Sequence, residues 1–166
     1  MLRRADGTIH PAARGAAWVA IAVALVAGFE GFARKPYIDW VGRGHPVTWC
    51  FGETKADGPA PPMSKLFTKA ECTASLQEKL TNVYDPAVRK CIHVPLPPHR
   101  EAALVSAAYN LGPGAVCHGP IARNLNAGNI VAGCRAILAY DHARGRRLSG
   151  LTKRRVTEYQ LCLRND

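Results

Sequence analysis

The feature that most constrains this chain is an uncharged run from Gly15 to Phe29, GAAWVAIAVALVAGF, which is followed directly by Glu30. The 14 residues before the run carry three arginines and a single aspartate. A positive segment ahead of an apolar run is the layout of an export signal. The run is rich in alanine and shorter than the roughly 20 residues that a membrane-spanning helix needs. Its hydrophobicity is therefore weak for a permanent anchor.

Three interpretations of the run compete: a cleaved signal peptide, an anchor that stays on the protein, and a buried core helix. The small residues before Gly28 form a passable cleavage site after Ala27. Cleavage there would leave Glu30 three residues from a free N-terminus, which is a poor place for a catalytic group that needs accurate positioning. We therefore favour an uncleaved anchor over residues 1–29, followed by a catalytic domain over residues 30–166.

The number and spacing of the cysteines indicate whether the chain binds a metal or forms disulfides, and in which kind of compartment it folds. The six cysteines contain no C-x-x-C pair, so we expect no metal site. An even number without metal spacing favours disulfides made in an oxidising compartment, with buried free thiols as the alternative. Six cysteines allow 15 pairings. The cysteines are Cys50, Cys72, Cys91, Cys117, Cys134 and Cys162.

The composition excludes a disordered chain, and the net charge limits the classes of binding partner. The 166 residues are 48% hydrophobic and 20% charged, which is typical of one globular core. The net charge of +10 favours a polyanionic partner, such as nucleic acid, anionic lipid or an acidic wall polymer. Charge alone does not choose among them, and a generally basic soluble surface is the simpler alternative.

Local patterns predict a hairpin followed by helices. The β-rich segments PYIDWVG and VTWCFG are separated by GRGHP, which places Asp39 and Thr48 on or near paired strands. Thr68 and Glu71 form a capping box before a helix that carries apolar residues at 76, 80 and 83 on one face. Further helices are expected over 97–112, 129–140 and 151–164. The fold class is therefore α+β, with a small hairpin lobe and a larger helical lobe.

Two carboxylates raise the possibility of glycoside hydrolysis. Glu30 lies between Phe29 and Phe32, an apolar setting that favours the protonated acid, whereas Asp39 lies among polar groups. Such a pair suits an acid that protonates the leaving oxygen and a carboxylate that directs water. Two acids nine residues apart are common, so the spacing alone decides nothing. Glu53 is a third acid, and we expect it to lie on a surface turn.

The sequence motifs around Glu30 and Asp39 support a catalytic role for these two residues. The pattern FEG…PYID…VG…VTWCFGET resembles the phage lysozymes of glycoside hydrolase family 24, and so do FTKAEC, ALVSAAYNLGPGA, LNAGNIVAGC and GLTKRRVTEYQLCL in the same order. The resemblance covers roughly residues 17–164. It is closest to the endolysins with a signal-anchor-release segment, in which the anchor leaves the membrane uncleaved and joins the helix that leads to the catalytic acid.

The resemblance implies a lysozyme-like fold and assigns roles to individual residues. Glu30 would be the general acid, Asp39 would position or activate water, and Thr48 would assist. Tyr109 and Asn110 match positions that line the cleft and would bind substrate. One departure is the segment between Asp39 and Thr48, whose eight residues are about three more than is usual in the family. Its added residues bring Arg43 and His45 within possible reach of substrate.

The resemblance also implies the partners and the compartment. The substrate would be peptidoglycan rather than nucleic acid, and we expect no cofactor and a monomer. Residues 15–29 would associate transiently with the inner membrane of the host, where the tethered form is inactive before release into the periplasm. From proximity in the expected fold, the disulfides would be Cys50–Cys72, Cys91–Cys117 and Cys134–Cys162.

The function expected from these blocks is a muramidase for phage-induced lysis. The nearest alternative is a lytic transglycosylase, which cleaves the same bond with a single acid; the presence of Asp39 argues against it. A basic, disulfide-stapled protein that binds the wall without cleaving it is the alternative from another class.

Overall fold

The computed structural model describes residues 11–40, 44–56 and 58–165. The described chain divides into two compact units. The first, called here the hairpin unit, is Val23–Glu78. The second, called here the helical unit, consists of the described residues up to Ala22 and those from Lys79 onward. The helices are α1 Pro11–Glu30, α2 Lys69–Lys79, α3 Asp85–Arg89, α4 Pro98–Leu111, α5 Pro113–Cys117, α6 Pro120–Asn126, α7 Ile130–Arg135 and α8 Ser149–Leu163. The strands are β1 Ala33–Ile38, β2 Val47–Cys50, β3 His142–Ala143 and β4 Arg146–Arg147.

Helix α1 contains the whole uncharged run and ends at Glu30. Trp18, Ala22 and Val26 are buried at a spacing of four, so they lie on one side of the helix. The exposed stripe carries small residues at 20, 24 and 28. The helix stops where Gly31 adopts φ of 72°, the left-handed conformation that glycine accepts at helix ends. Within the described ranges, no helix has both the length and the apolarity that crossing a bilayer requires.

The hairpin unit contains the predicted hairpin. Strands β1 and β2 pair antiparallel, with Tyr37 opposite Thr48 and Ile38 opposite Val47. The capping box at the start of α2 is also confirmed: the Thr68 N–H donates to Glu71 Oε2 at 2.7 Å, and the Glu71 N–H donates to Thr68 Oγ1 at 3.1 Å. The bond from the Thr68 N–H, followed by one from the Thr68 hydroxyl at 2.8 Å, holds the pKa of Glu71 below its usual value.

The segment after α2 differs from the expected single helical face. Leu76 and Leu80 are buried, but Val83 is 55% exposed. The reason is a π-helical segment over Leu80–Tyr84, whose turn takes up one more residue than an α-turn and rotates the following side chains. The prediction that Val83 shares the buried face was therefore wrong. Helix α3 begins at Asp85 and has Pro86 in its first turn.

The core of the helical unit is built around α4, whose residues 100–108 are all buried. Its alanines allow neighbouring helices close approach, and α8 packs against it. Ser106 on α4 donates a 2.7 Å hydrogen bond to Glu158 on α8, and Glu158 also pairs with Arg154 and Arg155. The α+β class is confirmed, with helices predominating and two small antiparallel pairs of strands in the described chain.

Three disulfides join the pairs that the resemblance implied. Cys50–Cys72 lies in the hairpin unit, and Cys91–Cys117 and Cys134–Cys162 lie in the helical unit, with Cα–Cα distances of 5.1, 5.4 and 5.7 Å. These distances are typical of disulfides. Each bond therefore fixes contacts within one unit.

Candidate active site

Glu30 is the last residue of α1, and its carboxyl group faces the turn that follows β2. Its Oε2 atom lies 3.6 Å from the position that a Cβ atom at residue 52 would occupy. Gly52 adopts φ of 86°, which the absence of a side chain makes inexpensive. The end of α1 and the end of the hairpin thus meet at a partly exposed carboxyl group.

Asp39 is the first residue after β1. Its backbone N–H donates to the Pro46 carbonyl at 2.9 Å, which extends the hairpin pairing by one step. Beyond it, the Trp40 ring is 71% exposed and its centroid lies 5.1 Å from that of His45. The expectation for Arg43 falls outside the described residues. Backbone pairing therefore holds Asp39 in place, next to the exposed ring of Trp40.

Thr48 lies on β2 and is buried. Its hydroxyl donates to the Pro46 carbonyl at 3.4 Å, and its backbone pairs with that of Tyr37. Glu30, Asp39 and Thr48 therefore belong to one compact unit, and the helix end and two strands that carry them come from a continuous stretch of chain. That stretch also supplies the Gly52 turn.

Glu53 is the residue that sequence reasoning misplaced. It is only 5% exposed, and its Oε1 atom has no hydrogen-bond partner among the described residues. The Glu53 N–H donates to the Trp49 carbonyl at 2.9 Å, and the Trp49 N–H donates back to the Glu53 carbonyl at 3.0 Å. This bridge folds the chain back on β2, so the turn is tight and Glu53 returns to the interior. The expected surface position was wrong.

Tyr109 and Asn110 lie at the end of α4, in the helical unit. The Tyr109 ring centroid is 5.1 Å from that of Tyr84, and Lys79 Nζ lies 5.7 Å from the Tyr109 centroid. The Asn110 side-chain oxygen accepts a 2.7 Å hydrogen bond from Arg155, which is fully buried. Both residues therefore make contacts that stabilise the helical unit. Their role in substrate binding stays a prediction.

The arrangement in the hairpin unit suits hydrolysis by two carboxyl groups. The unit carries one carboxyl group at a helix end, a second just after β1 and a threonine hydroxyl on β2, and general acid catalysis with a directed water uses two carboxyl groups. The described part of the chain contains no group of three or more His, Cys, Asp or Glu side chains placed to hold a metal. Fold and site together define the class of the lysozyme-like glycoside hydrolases.

Comparison with known proteins gives the family. The phage lysozyme family model matches residues 27–158, and the chain belongs to that family. The chain is 34% identical to the SAR-endolysin of Enterobacteria phage P21 over 158 residues, covering 92% of each chain. It is 34% identical to the SAR-endolysin of Bacteriophage PS119 over 151 residues, covering 87% of this chain and 86% of the relative.

Solved structures agree with the fold. A P22 lysozyme mutant aligns with a TM-score of 0.75 and 27% identity, covering 86% of this chain and 95% of that one. An endolysin from Escherichia coli O157:H7 phage FAHEc1 aligns with a TM-score of 0.74 and 26% identity, covering 86% of this chain and 90% of that one. The lysozyme-like fold expected from the sequence is thus confirmed.

Proposed function

We propose that this phage endolysin is a muramidase that hydrolyses the β-1,4 bond between N-acetylmuramic acid and N-acetylglucosamine in bacterial peptidoglycan. The observation that carries the proposal is the placement of Glu30 against the Gly52 turn, in the unit that also carries Asp39 and Thr48. The family and the endolysin names of the relatives support the lysozyme-type glycosidase activity and its use in host lysis.

In this proposal Glu30 is the general acid. It protonates the glycosidic oxygen as the bond breaks, and Asp39, in the same unit, directs water at the anomeric carbon. The Thr48 hydroxyl assists in orienting that water. If the reaction inverts the anomeric centre, the two carboxyl groups stand roughly 6.5–9.5 Å apart so that water fits between them. The chemistry needs no cofactor, and a monomer suffices for it.

The location of the enzyme forms part of the same proposal. Residues 1–29 act as an uncleaved anchor that holds an inactive form at the host inner membrane, and the released form works in the periplasm. Two findings support this: α1 contains the apolar run and ends at Glu30, and the relatives are named SAR-endolysins. Because α1 falls short of the length and apolarity that a spanning helix needs, its hold on the membrane is transient; during that time Glu30 is at the membrane edge, away from its turn. Periplasmic protein that begins at Gly28 would contradict the uncleaved anchor.

The test is product analysis of purified peptidoglycan treated with wild type and with Glu30→Gln. Wild type should release reducing N-acetylmuramic ends, and Glu30→Gln should be slower by about 10²–10⁴-fold because the proton donor is gone. Glu78→Gln is the matched control, since Glu78 is an exposed glutamate in the same unit, and it should keep wild-type activity.

Each alternative gives a different product pattern. Anhydro ends from wild type would assign the chain to the lytic transglycosylases. Equal cleavage by wild type and Glu30→Gln would show that another residue is the acid. Absence of cleavage by correctly folded, disulfide-bonded wild type would leave the non-catalytic wall-binding protein.

A further inference from the structure

The most exposed large apolar side chain in the described part of the chain is that of Trp40, in the hairpin unit. Of the three tryptophans in the sequence, Trp18 and Trp49 are 4% and 6% exposed, whereas Trp40 is 71% exposed. Tyr37 and Ile38, which shortly precede it, are 46% and 40% exposed. The exposed indole is therefore part of a group of apolar side chains and not a single scattered one, and such a group marks a binding surface.

Trp40 directly follows Asp39, the carboxylate that is proposed to direct water. The Asp39 N–H donates to the Pro46 carbonyl at 2.9 Å, which fixes the backbone immediately before Trp40. Consecutive Cα atoms are about 3.8 Å apart. The indole therefore starts from a fixed point next to the backbone of the proposed catalytic residue.

His45 packs against the indole from the side of β2. The two ring centroids are 5.1 Å apart, and the ring planes are inclined by 50°. His45 adopts φ of 47°, a left-handed conformation that residues with a Cβ atom disfavour. Backbone strain of this kind is kept in proteins mainly at functional positions. Since most of Trp40 stays exposed, His45 limits the rotation of the ring without covering it.

An open indole beside a carboxylate suits a sugar. One side of a pyranose ring presents C–H groups with a slight positive charge, and the face of an indole is negative, so the two stack. The hydroxyl and acetamido groups of an N-acetylated sugar lie around the ring, where a carboxylate accepts their hydrogen bonds. An apolar protein surface docked on Trp40 would instead take water away from Asp39 and give it no hydrogen-bond donor, which is costly.

We propose that Trp40 is a substrate-binding residue that stacks on an N-acetylhexosamine unit of the glycan strand, and that His45 is its positioning residue. The inference rests on the proposed function, which supplies the class of substrate. The stacked sugar lies beside the bond that is cleaved, because the indole takes no part in proton transfer. Trp40 therefore contributes to substrate binding, and its removal raises KM more than it lowers kcat.

The first experiment measures kcat and KM with soluble, uncrosslinked glycan chains of peptidoglycan, by the release of reducing ends. Trp40→Ala should raise KM about tenfold, equal to about 1.4 kcal/mol, and leave kcat almost unchanged. Trp40→Phe keeps an aromatic face and should recover part of the loss. The matched control is Leu66→Ala, at an apolar position of the same unit that is 51% exposed, and it should keep the wild-type KM.

The second experiment measures glycan binding without turnover, by tryptophan fluorescence in the Glu30→Gln protein. Because the other two tryptophans are buried, the change in emission should come from Trp40 and disappear in Glu30→Gln/Trp40→Phe. It should persist at high salt, which screens the attraction between an anionic wall polymer and a chain of net charge +10. His45→Gly should weaken binding severalfold without lowering stability, since glycine accepts the left-handed backbone.

The outcomes separate this inference from the proposed function. A wild-type KM in Trp40→Ala, or an emission change of full size after Trp40→Phe, would overturn the stacking role and leave the muramidase assignment standing. A lower kcat at unchanged KM would also overturn it, because Trp40 would then act on the geometry of the site. Binding that depends on Trp40 in a wild-type protein that cleaves nothing would contradict the muramidase and support the stacking residue. Far-ultraviolet circular dichroism confirms that each variant is folded.

Discussion

At the scale of single residues, Gly52 sets the backbone next to the proposed acid. Its φ of 86° is expensive for any residue with a Cβ atom. Space is not the obstacle, since a Cβ there would meet Glu30 Oε2 at an ordinary contact distance of 3.6 Å. We expect Gly52→Ala to lower the free energy of unfolding by about 1–2 kcal/mol and to reduce peptidoglycan cleavage, because the turn must shift beside Glu30. Chemical denaturation and the cleavage assay measure the two effects.

Gly150→Ala is the control for this substitution. Gly150 lies in the first turn of α8, and a Cβ there would meet no atom within 4 Å. Alanine is the better helix former, so the variant should be neutral or more stable by up to about 1 kcal/mol, with unchanged activity. If both alanine variants behaved alike, the backbone conformation at Gly52 would not be a constraint.

The site residues differed in how well sequence could place them. The roles expected of Glu30, Asp39 and Thr48 came from the family resemblance and not from their spacing, and the structure puts the three in one unit because a helix end and a hairpin follow each other directly. Glu53 was expected at the surface because it lies in a predicted turn. The backbone bridge between Trp49 and Glu53 turns it inward instead, and no local pattern of residue types signals that bridge.

At the scale of elements, an ionic cluster joins α3 to α4. Arg89 bonds both carboxylate oxygens of Asp85 at 3.1 Å and also pairs with Glu101. Glu101 is 3% exposed, and its pKa is raised to about 7, first by burial and then by its hydrogen bond with Asp85. The folded protein therefore holds a proton that the unfolded chain releases at lower pH.

This cluster predicts how stability depends on pH. Because the folded pKa of Glu101 lies above its unfolded value, its contribution is fully present below about pH 4.5 and is lost as the pH rises to about 7. Wild type should therefore lose more stability than Glu101→Gln between pH 5 and pH 8, by about 1–3 kcal/mol. Denaturation at a series of pH values measures the difference. Glu78→Gln, at an exposed position, should follow the wild-type curve; a wild-type slope in Glu101→Gln would contradict the prediction.

Elements were predictable where one pattern dominated. The central helix α4 and the capping box of α2 came directly from alanine-rich periodicity and from the Thr68–Glu71 spacing. The π-segment did not, because Leu76, Leu80 and Val83 have ordinary helical spacing and only packing shows the extra residue. The hairpin of β3 and β4 was missed as well, since strands of only two residues, with no β-branched or aromatic side chain except one histidine ring, carry no β-rich signal.

At the scale of the whole molecule, the disulfides act within units rather than across them. Cys50–Cys72 spans 22 residues of the hairpin unit, and closing a loop of that size stabilises a protein by about 2–4 kcal/mol. We expect Cys50→Ala/Cys72→Ala to lower stability by that amount and to weaken cleavage, because β2 is no longer bonded to α2. Denaturation curves with and without reductant measure the effect.

Cys134→Ala/Cys162→Ala is the comparison. Its bond spans 28 residues of the helical unit, between α7 and α8, so we expect a similar loss of stability with a smaller loss of cleavage under conditions where both variants stay folded. Equal losses of cleavage at equal stability would show that the Cys50–Cys72 bond has no particular influence on the site.

The position of Glu30 at the end of α1 also has a mechanical meaning. At 1.5 Å per residue, the 20 residues of α1 form a rod about 30 Å long. If the start of such a rod is a pivot, a tilt of about three degrees moves its far end by about 1.5 Å, and a displacement of about 1 Å can cost a catalytic group roughly 100-fold in rate. The helix therefore acts as a lever arm for the acid at its end: we expect a tilt of a few degrees to be enough to disengage Glu30 while α1 itself stays helical.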